Sequence, residues 1–414
     1  MEMNRPSILF IAPSCYPIDG AEANVNAKVI KALTEYGCNV DLVSRKSSKS
    51  LCYPQSRDDY YFGKIRQIEE VDWYIKKDIK RIWNHVKVFL LTGYTYVWAD
   101  WAYPAIKACE ELIAKNHYDY IYTYNAPSEI VGLYLSKKYR IKWVATWNDP
   151  YCWNKYPAPY GEGIKGKVSY FRNKIIRNIG KYTYFNIFPS ERLRSYMMKY
   201  VPGIDKENTA ICPHLVLSDQ KFKSCDQNKE LNILHAGALG KERNPMTLLV
   251  GLSQFLKSMP NAKIHLNFLG VFERMDTFDV ENFIKKNELF DYINIIPPVP
   301  YTESLSIIAK NDVCLLVEAP CEEGIFLPSK VADYMQIGKP IFAISPSVGT
   351  MKDMYVTKQI DYFADVKDPM SIANEFNRIY NDFNNQTLHF GEYDTFQPIN
   401  YIEIQQNKIW RKKK

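Results

Sequence analysis

No apolar run in this chain is long enough to cross a bilayer. A spanning helix needs about 20 consecutive apolar residues, and the N-terminal run Ile8-Leu9-Phe10-Ile11-Ala12 is stopped by Pro13. That run is also too short for a secretory signal peptide. The nine cysteines include no CxxC pair and are odd in number, so neither a zinc spacing nor a disulfide framework is visible. This is the pattern of a reducing compartment. The expectation is a cytoplasmic protein, at most resting on the inner face of a membrane. Strong charge is lacking too. A net charge of +7 over 414 residues falls short of a nucleic-acid-binding signal, and no basic motif interleaved with aromatics occurs. No nucleic-acid partner is expected. The mild positive balance fits anionic substrates or a peripheral contact with anionic lipid, to which the basic tail Arg411-Lys412-Lys413-Lys414 would contribute. Internal repeats and low-complexity segments are absent.

What is present is ordinary globular material with one bias. Hydrophobic residues make up 46% and charged residues 24%, enough for real cores in two or three domains. Aromatics reach 14%, with 31 Tyr. Tyrosine-rich clefts suit stacking against sugars and bases; a compositional leaning toward Tyr, Lys and Asn gives the same count.

The chain opens on a βαβ pattern. Ile8–Ala12 reads as a buried strand, residues 22–36 as a helix with Val25, Val29, Ala32 and Leu33 on one face, and Val40–Ser44 as the next strand. From about residue 64 to 91, Ile65, Ile68, Ile75, Ile79, Ile82, Val86 and Phe89 recur at helical spacing among Lys76, Lys77, Lys80, Arg81 and Lys87. A basic amphipathic helix of this kind either lies in a membrane interface or docks on the sheet with its lysines in water; docking is the favoured expectation. Strand–helix alternation resumes at Tyr120–Thr123 and again from Leu231 to Ile344. The reading is α/β: two doubly wound, Rossmann-like domains facing across a cleft, in which ligands bind beyond the carboxyl ends of the strands. The expected limits are 1–218 for the first domain, with a helical insertion at about 45–115, and 219–390 for the second. The hydrophilic stretch 219–230 serves as linker, and a C-terminal segment, 391–414, packs back toward the first domain.

Two segments carry chemistry. Gly237-Ala238-Leu239-Gly240-Lys241-Glu242-Arg243-Asn244-Pro245 follows a strand and precedes a helix. Its glycines allow close backbone approach, and Lys241 and Arg243 could neutralise a diphosphate. It is neither a P-loop nor a GxGxxG fingerprint. The second segment runs from Glu322 and Glu323 through Gly324 to Pro328, Ser329, Lys330 and Asp333. A lysine in the first helical turn suits phosphate. Asp333, one turn on, shares its face and suits vicinal hydroxyls. Together the two segments suit a nucleotide-sugar: Arg243 and Lys330 on the diphosphate, Asp333 on the ribose. The six histidines are dispersed; His235, at a strand end, reads as a buried structural residue.

The order strand–GxLG–Arg, then Pro297-Pro298-Val299-Pro300-Tyr301, then acidic-Gly–PSK–xxAsp–Tyr–Met–xxGlyLysPro resembles the C-terminal domain of GT-B retaining glycosyltransferases of family 4. Asp19-Gly20-Ala21-Glu22 and Gly37-Cys38-Asn39-Val40 look like that family's acceptor-side domain, and the Pro328-Ser329-Lys330 variant is similar to bacterial surface-polysaccharide transferases. The resemblance implies a UDP- or GDP-sugar donor and a glycan or lipid-linked acceptor. It implies front-face transfer with retention and no metal or other cofactor. It places Gly20 at the donor phosphates and Arg243 and Lys330 on the diphosphate; on their own chemistry Gly237, Lys241 and Ser329 are expected among the donor-binding residues too. Val299, Pro300 and Tyr301 fall at the base, and Glu322 and Glu323 near the donor sugar. Three positions depart from the pattern. Asp333 stands for a longer Glu. The first acid's spacing falls on Ile325. The usual His-Asp after a central strand reads Asn148-Asp149, so the catalytic group is Asn148 or Asp149, unless these residues form a plain turn. The adjacent Asp58-Asp59 lies in a polar loop and gives little support to a metal-dependent route. The other readings are a nucleotide-sugar epimerase on the same fold and a non-catalytic nucleotide-sugar-binding protein.

Overall fold

The structure, a computed structural model, describes residues 5–15, 20–46, 64–73, 76–217, 228–271, 280–389 and 394–410. Asp19, Asp58-Asp59, Ile75, most of the expected linker and Arg411–Lys414 lie outside the described residues. The chain separates into two compact units. The first is Met1–Tyr156 with Gly161–Leu215 and Thr395–Lys414; the second is Pro157–Tyr160 with Val216–Asp394.

The first unit is built on β1 (Ser7–Ile11), α1 (Ala21–Tyr36), β2 (Asn39–Arg45), β3 (Gln67–Val71), α2 (Ile79–Thr92), α3 (Ala99–Lys115), β4 (Tyr120–Tyr124), α4 (Ser128–Tyr139), β5 (Lys142–Thr146), α5 (Tyr170–Tyr182), β6 (Phe185–Phe188), α6 (Glu191–Met198) and β7 (Thr209–Ile211). Its strands form one parallel sheet in the order β3-β2-β1-β4-β5-β6-β7. The second unit holds β8 (Leu231–Ala236), α7 (Met246–Ser258), β9 (Ile264–Leu269), α8 (Val280–Lys286), β10 (Ile293–Ile296), α9 (Tyr301–Ala309), β11 (Val313–Val317), α10 (Lys330–Ile337), β12 (Ile341–Ser345), α11 (Thr350–Val356), β13 (Tyr362–Asp365) and α12 (Pro369–Asn384). Its parallel sheet runs β10-β9-β8-β11-β12-β13.

Central strands are continuous apolar runs because parallel sheets are covered on both faces. Val313, Leu315 and Val317 of β11 join Leu231, Ile233, Leu252, Phe255, Phe342 and Phe376 in one buried core of the second unit. In each sheet the winding reverses beside the first strand, at β1/β4 and at β8/β11. The carboxyl ends at such a reversal leave a crevice where ligands bind.

The last helix, α13 (Pro398–Ile404), belongs to the first unit. The turn after it satisfies two tyrosines of β4. The Tyr122 hydroxyl donates to Gln405 Oε1 at 2.5 Å and accepts from Trp410 Nε1 at 3.1 Å, while Tyr120 donates to the Ile409 carbonyl at 3.2 Å.

One expected element is corrected. Residues 64–91 are not one helix. Gln67–Val71 is an edge strand paired with β2, and the helix begins at Ile79, capped by Asp78 accepting from Arg81 N. Nor does α2 dock by its apolar face. Asn84 and Val88 face inward, and Arg81 pairs with buried Asp100 of α3 at 2.9 Å. The large apolar side chains point to solvent.

Candidate active site

In the second unit the proposed diphosphate residues meet at the carboxyl ends of β8 and β11. Strands β8 and β9 run into Gly237 and Gly270, both in the left-handed region. A Cβ on Gly270 would stand 2.7 Å from the Gly237 carbonyl, and one on Gly237 would stand 2.9 Å from Lys330 Nζ. Glycine at 237 therefore makes the space that the ammonium occupies.

His235 is fully buried, with Nδ1 3.1 Å from the Leu315 carbonyl and Nε2 3.2 Å from Lys330 Nζ. A carbonyl only accepts, so Nδ1 carries the proton and Nε2 receives the bond from Lys330. Burial, reinforced by Lys330 and Arg243, pushes the imidazole pKa well down and keeps the ring neutral. Burial and Arg243 bring Lys330 down to about 7, against the pull of Glu318 and Asp333. Glu318, just after β11, is itself buried, and burial raises its pKa despite Arg243 and Lys330. No motif in the sequence marks this acid, which simply follows an apolar strand.

Arg243 sits after a tight turn closed by Gly240 N to Arg243 O and Arg243 N to Gly240 O. Lys241 is exposed at its tip, with φ of 48°. The guanidinium Nε of Arg243 donates to the Tyr160 hydroxyl at 3.1 Å, and the Tyr160 ring stands edge-on to Phe326. Helix α10 starts at Lys330 with Ser329 as its N-cap. It is clipped in place by buried Tyr334, whose hydroxyl accepts from Ala236 N at 2.9 Å and donates to the Leu315 carbonyl at 3.2 Å. Asp333 accepts from the Tyr301 hydroxyl at 2.5 Å, so the acid expected at the ribose and the tyrosine expected near the base touch. Val299 and Pro300 lead directly into α9. The loop with Glu322 and Glu323 is pinned where Gly324 N bonds the Val348 carbonyl and Thr350 N the Gly324 carbonyl. Ile325 is completely buried, so the position that spacing assigned to the first acid is core; Glu322 is exposed and Glu323 half-buried.

In the first unit Asn148 and Asp149 follow β5. Asn148 N donates to Asn125 Oδ1 at 2.8 Å, and Asn125 Nδ2 donates to Glu22 Oε1 at 3.1 Å. Asn125, after β4, has φ of 50°, a left-handed turn that asparagine tolerates. Asn125 thus joins the ends of β4 and β5 to the first turn of α1. Gly20 is the N-cap of α1, and nothing would stand within 4 Å of a Cβ there. Burial, then the charge of Asp149, raises Glu22 to about 7, with Ser14 and Asn125 pulling it back. Tyr156 is raised by burial and by the same two carboxylates. Glu22 and Asp149 line a cavity of about 300 Å³ shared with Arg45, Trp73, Trp98 and Trp153. The Arg45 guanidinium lies over the Trp73 ring and Trp98 packs edge-on to Trp153. Carboxylates beside flat aromatic faces suit polyhydroxylated ligands. Among the described residues no group of three or more His, Cys, Asp or Glu is placed to hold a metal ion.

No family model and no curated protein matches the chain. Solved structures do. HepE from Anabaena in complex with UDP and glucose is 13% identical with a TM-score of 0.63, covering 97% of this chain and 95% of that one. Sucrose-phosphate synthase from Thermosynechococcus elongatus is 15% identical at 0.59, covering 92% of each. A candidate UDP-N-acetylglucosamine 2-epimerase from Listeria monocytogenes is 11% identical at 0.55, covering 100% and 99%. With two parallel Rossmann-like sheets of seven and six strands, the chain has the GT-B fold of glycosyltransferases.

Proposed function

We propose that the protein is a glycosyltransferase that moves a sugar from a UDP- or GDP-sugar to a glycan or lipid-linked acceptor in the building of a surface polysaccharide. The observation that carries this is Lys330 beside Gly237 at the winding reversal of the second sheet, with Arg243 near enough to act on its charge. Breaking a nucleotide–sugar bond puts negative charge on the diphosphate, and fixed cations stabilise it as it develops. The residues argued for this donor half are Gly20, Gly237, Lys241, Arg243, Val299, Pro300, Tyr301, Glu322, Glu323, Ser329, Lys330 and Asp333. A thermal-shift panel of UDP, GDP, ADP and CMP tests it, since binding to the native state raises its stability. UDP or GDP should raise Tm, and the matching nucleotide-sugar should slowly release nucleotide. An epimerised donor without nucleotide release would instead favour the epimerase reading. Binding without release under any acceptor would favour a non-catalytic one.

For the stereochemical course, family 4 resemblance favours retention, with Asn148 or Asp149 facing the anomeric carbon. A second reading has its own observation. A carboxylate raised to about 7, as Glu22 is, is suited to take the proton from an acceptor hydroxyl, which would invert the centre. The anomeric configuration of the first-formed product, read by NMR, decides between the two.

Lys330 also gives a pH prediction. Its ammonium has a pKa of about 7 without ligand, and a bound diphosphate stabilises the charged form. Affinity should therefore be full below about pH 7 and fall as pH rises above it, with proton uptake on binding. Calorimetry in buffers of different ionisation enthalpy measures this; affinity flat from pH 6 to 9 would contradict it.

A further inference from the structure

We infer that the outer face of α2 is a docking surface for an anionic lipid bilayer. Among the described residues, Ile79, Ile82, Trp83, Val86, Phe89 and Leu90 are 38–74% exposed. Their spacing of i, i+3, i+4, i+7, i+10 and i+11 puts them on one stripe about a third of the helix circumference wide. The face turned to the protein is the less apolar one. It consists of Asn84, Val88 and the ion pair of Arg81 with Asp100. A helix that served only to cover the sheet would bury the stripe instead.

The stripe continues onto a second element. Phe89 packs edge-on against Phe171 in the first turn of α5, beside Tyr170, which is exposed. Charge identifies the occupant. Apart from the inward-turned Arg81, residues 76–90 hold Lys76, Lys77, Lys80 and Lys87 against the single acid Asp78. Lys80 and Lys87 flank the stripe, and Lys174 is exposed one turn beyond Phe171. An apolar ridge rich in Trp, Phe and Leu with a lysine border matches the boundary between acyl chains and anionic headgroups. The helix is too short to span, and no described helix is long and apolar enough to do so; the contact would lie in the interface plane. This inference does not rest on the transferase reading.

The test is co-sedimentation of the full chain with vesicles of phosphatidylcholine alone or mixed with phosphatidylglycerol. Binding to the mixed vesicles, more than tenfold weaker for neutral ones and weakened by salt, is expected. Trp83→Glu with Leu90→Glu should lower it at least tenfold. Both side chains are exposed, so Tm and its rise with nucleotide should not change. Equal binding to neutral vesicles, or binding unchanged in the double variant, would overturn the proposal. So would a chain that ignores vesicles but self-associates through the same residues, which would assign the face to a second copy.

Discussion

Lys330→Met should lower nucleotide release from the donor about 10²–10³-fold, a loss of ~3–4 kcal/mol in transition-state stabilisation. The apolar stem of the side chain is nearly kept, while the charge and the donor to His235 Nε2 are lost. Charge on the leaving diphosphate is greater in the transition state than in the bound donor. A contact with it therefore weighs more on kcat than on KM. The fold should stand, because α10 is held by Tyr334 on Ala236 and Leu315 rather than by its lysine. The variant sheds a half-buried ammonium whose pKa has dropped to about 7 but leaves buried His235 Nε2 without its donor, a loss of about 1–3 kcal/mol, so Tm should fall modestly while the fold stands. Arg243→Ala should follow the same course and also release Tyr160. Parental turnover in both variants would remove the diphosphate assignment.

Asp149→Asn should cut turnover about 10²–10⁴-fold while leaving the Tm rise with nucleotide intact. Asp149 raises Glu22 by its charge. Removing that charge lowers the Glu22 pKa, so any acidic limb in the kcat/KM profile should move to lower pH. If Glu22 is the base, Glu22→Gln abolishes the limb together with turnover. If transfer retains configuration, Glu22→Gln keeps most of its activity and Asp149→Asn does not. Full activity in Asp149→Asn would return Asn148-Asp149 to the status of a turn.

The segments proposed for the donor were legible as chain geometry because their signals are local. Pro328-Ser329 before Lys330, Gly338 after Ile337, and Gly237 after a strand are marks of chain geometry that periodicity and capping rules read directly. The other half is built from places far apart in sequence. Glu22, Asn125 and Asp149 come from the ends of different elements, and nothing near any one of them announces the others. Glu318 and His235 were illegible as a pair for the same reason, meeting only around Lys330. For residues 64–91 the periodicity was real over α2. It could not say which side of the stripe meets protein, and it masked β3, a half-exposed edge strand in which Ile68 and Val71 are outnumbered by Gln67, Glu69 and Glu70, of which Glu is depleted in strands.

The hydroxyls of Tyr120 and Tyr122 bear on how the chain is made. Their partners Gln405, Ile409 and Trp410 leave the ribosome only after all of β8 to α12 has been synthesised. Until then two buried tyrosines in the middle of the first sheet lack the groups that satisfy them, and such vacancies are costly. The half of the protein that is translated first is thus completed last, while the second unit has all of its strands in hand and can settle earlier.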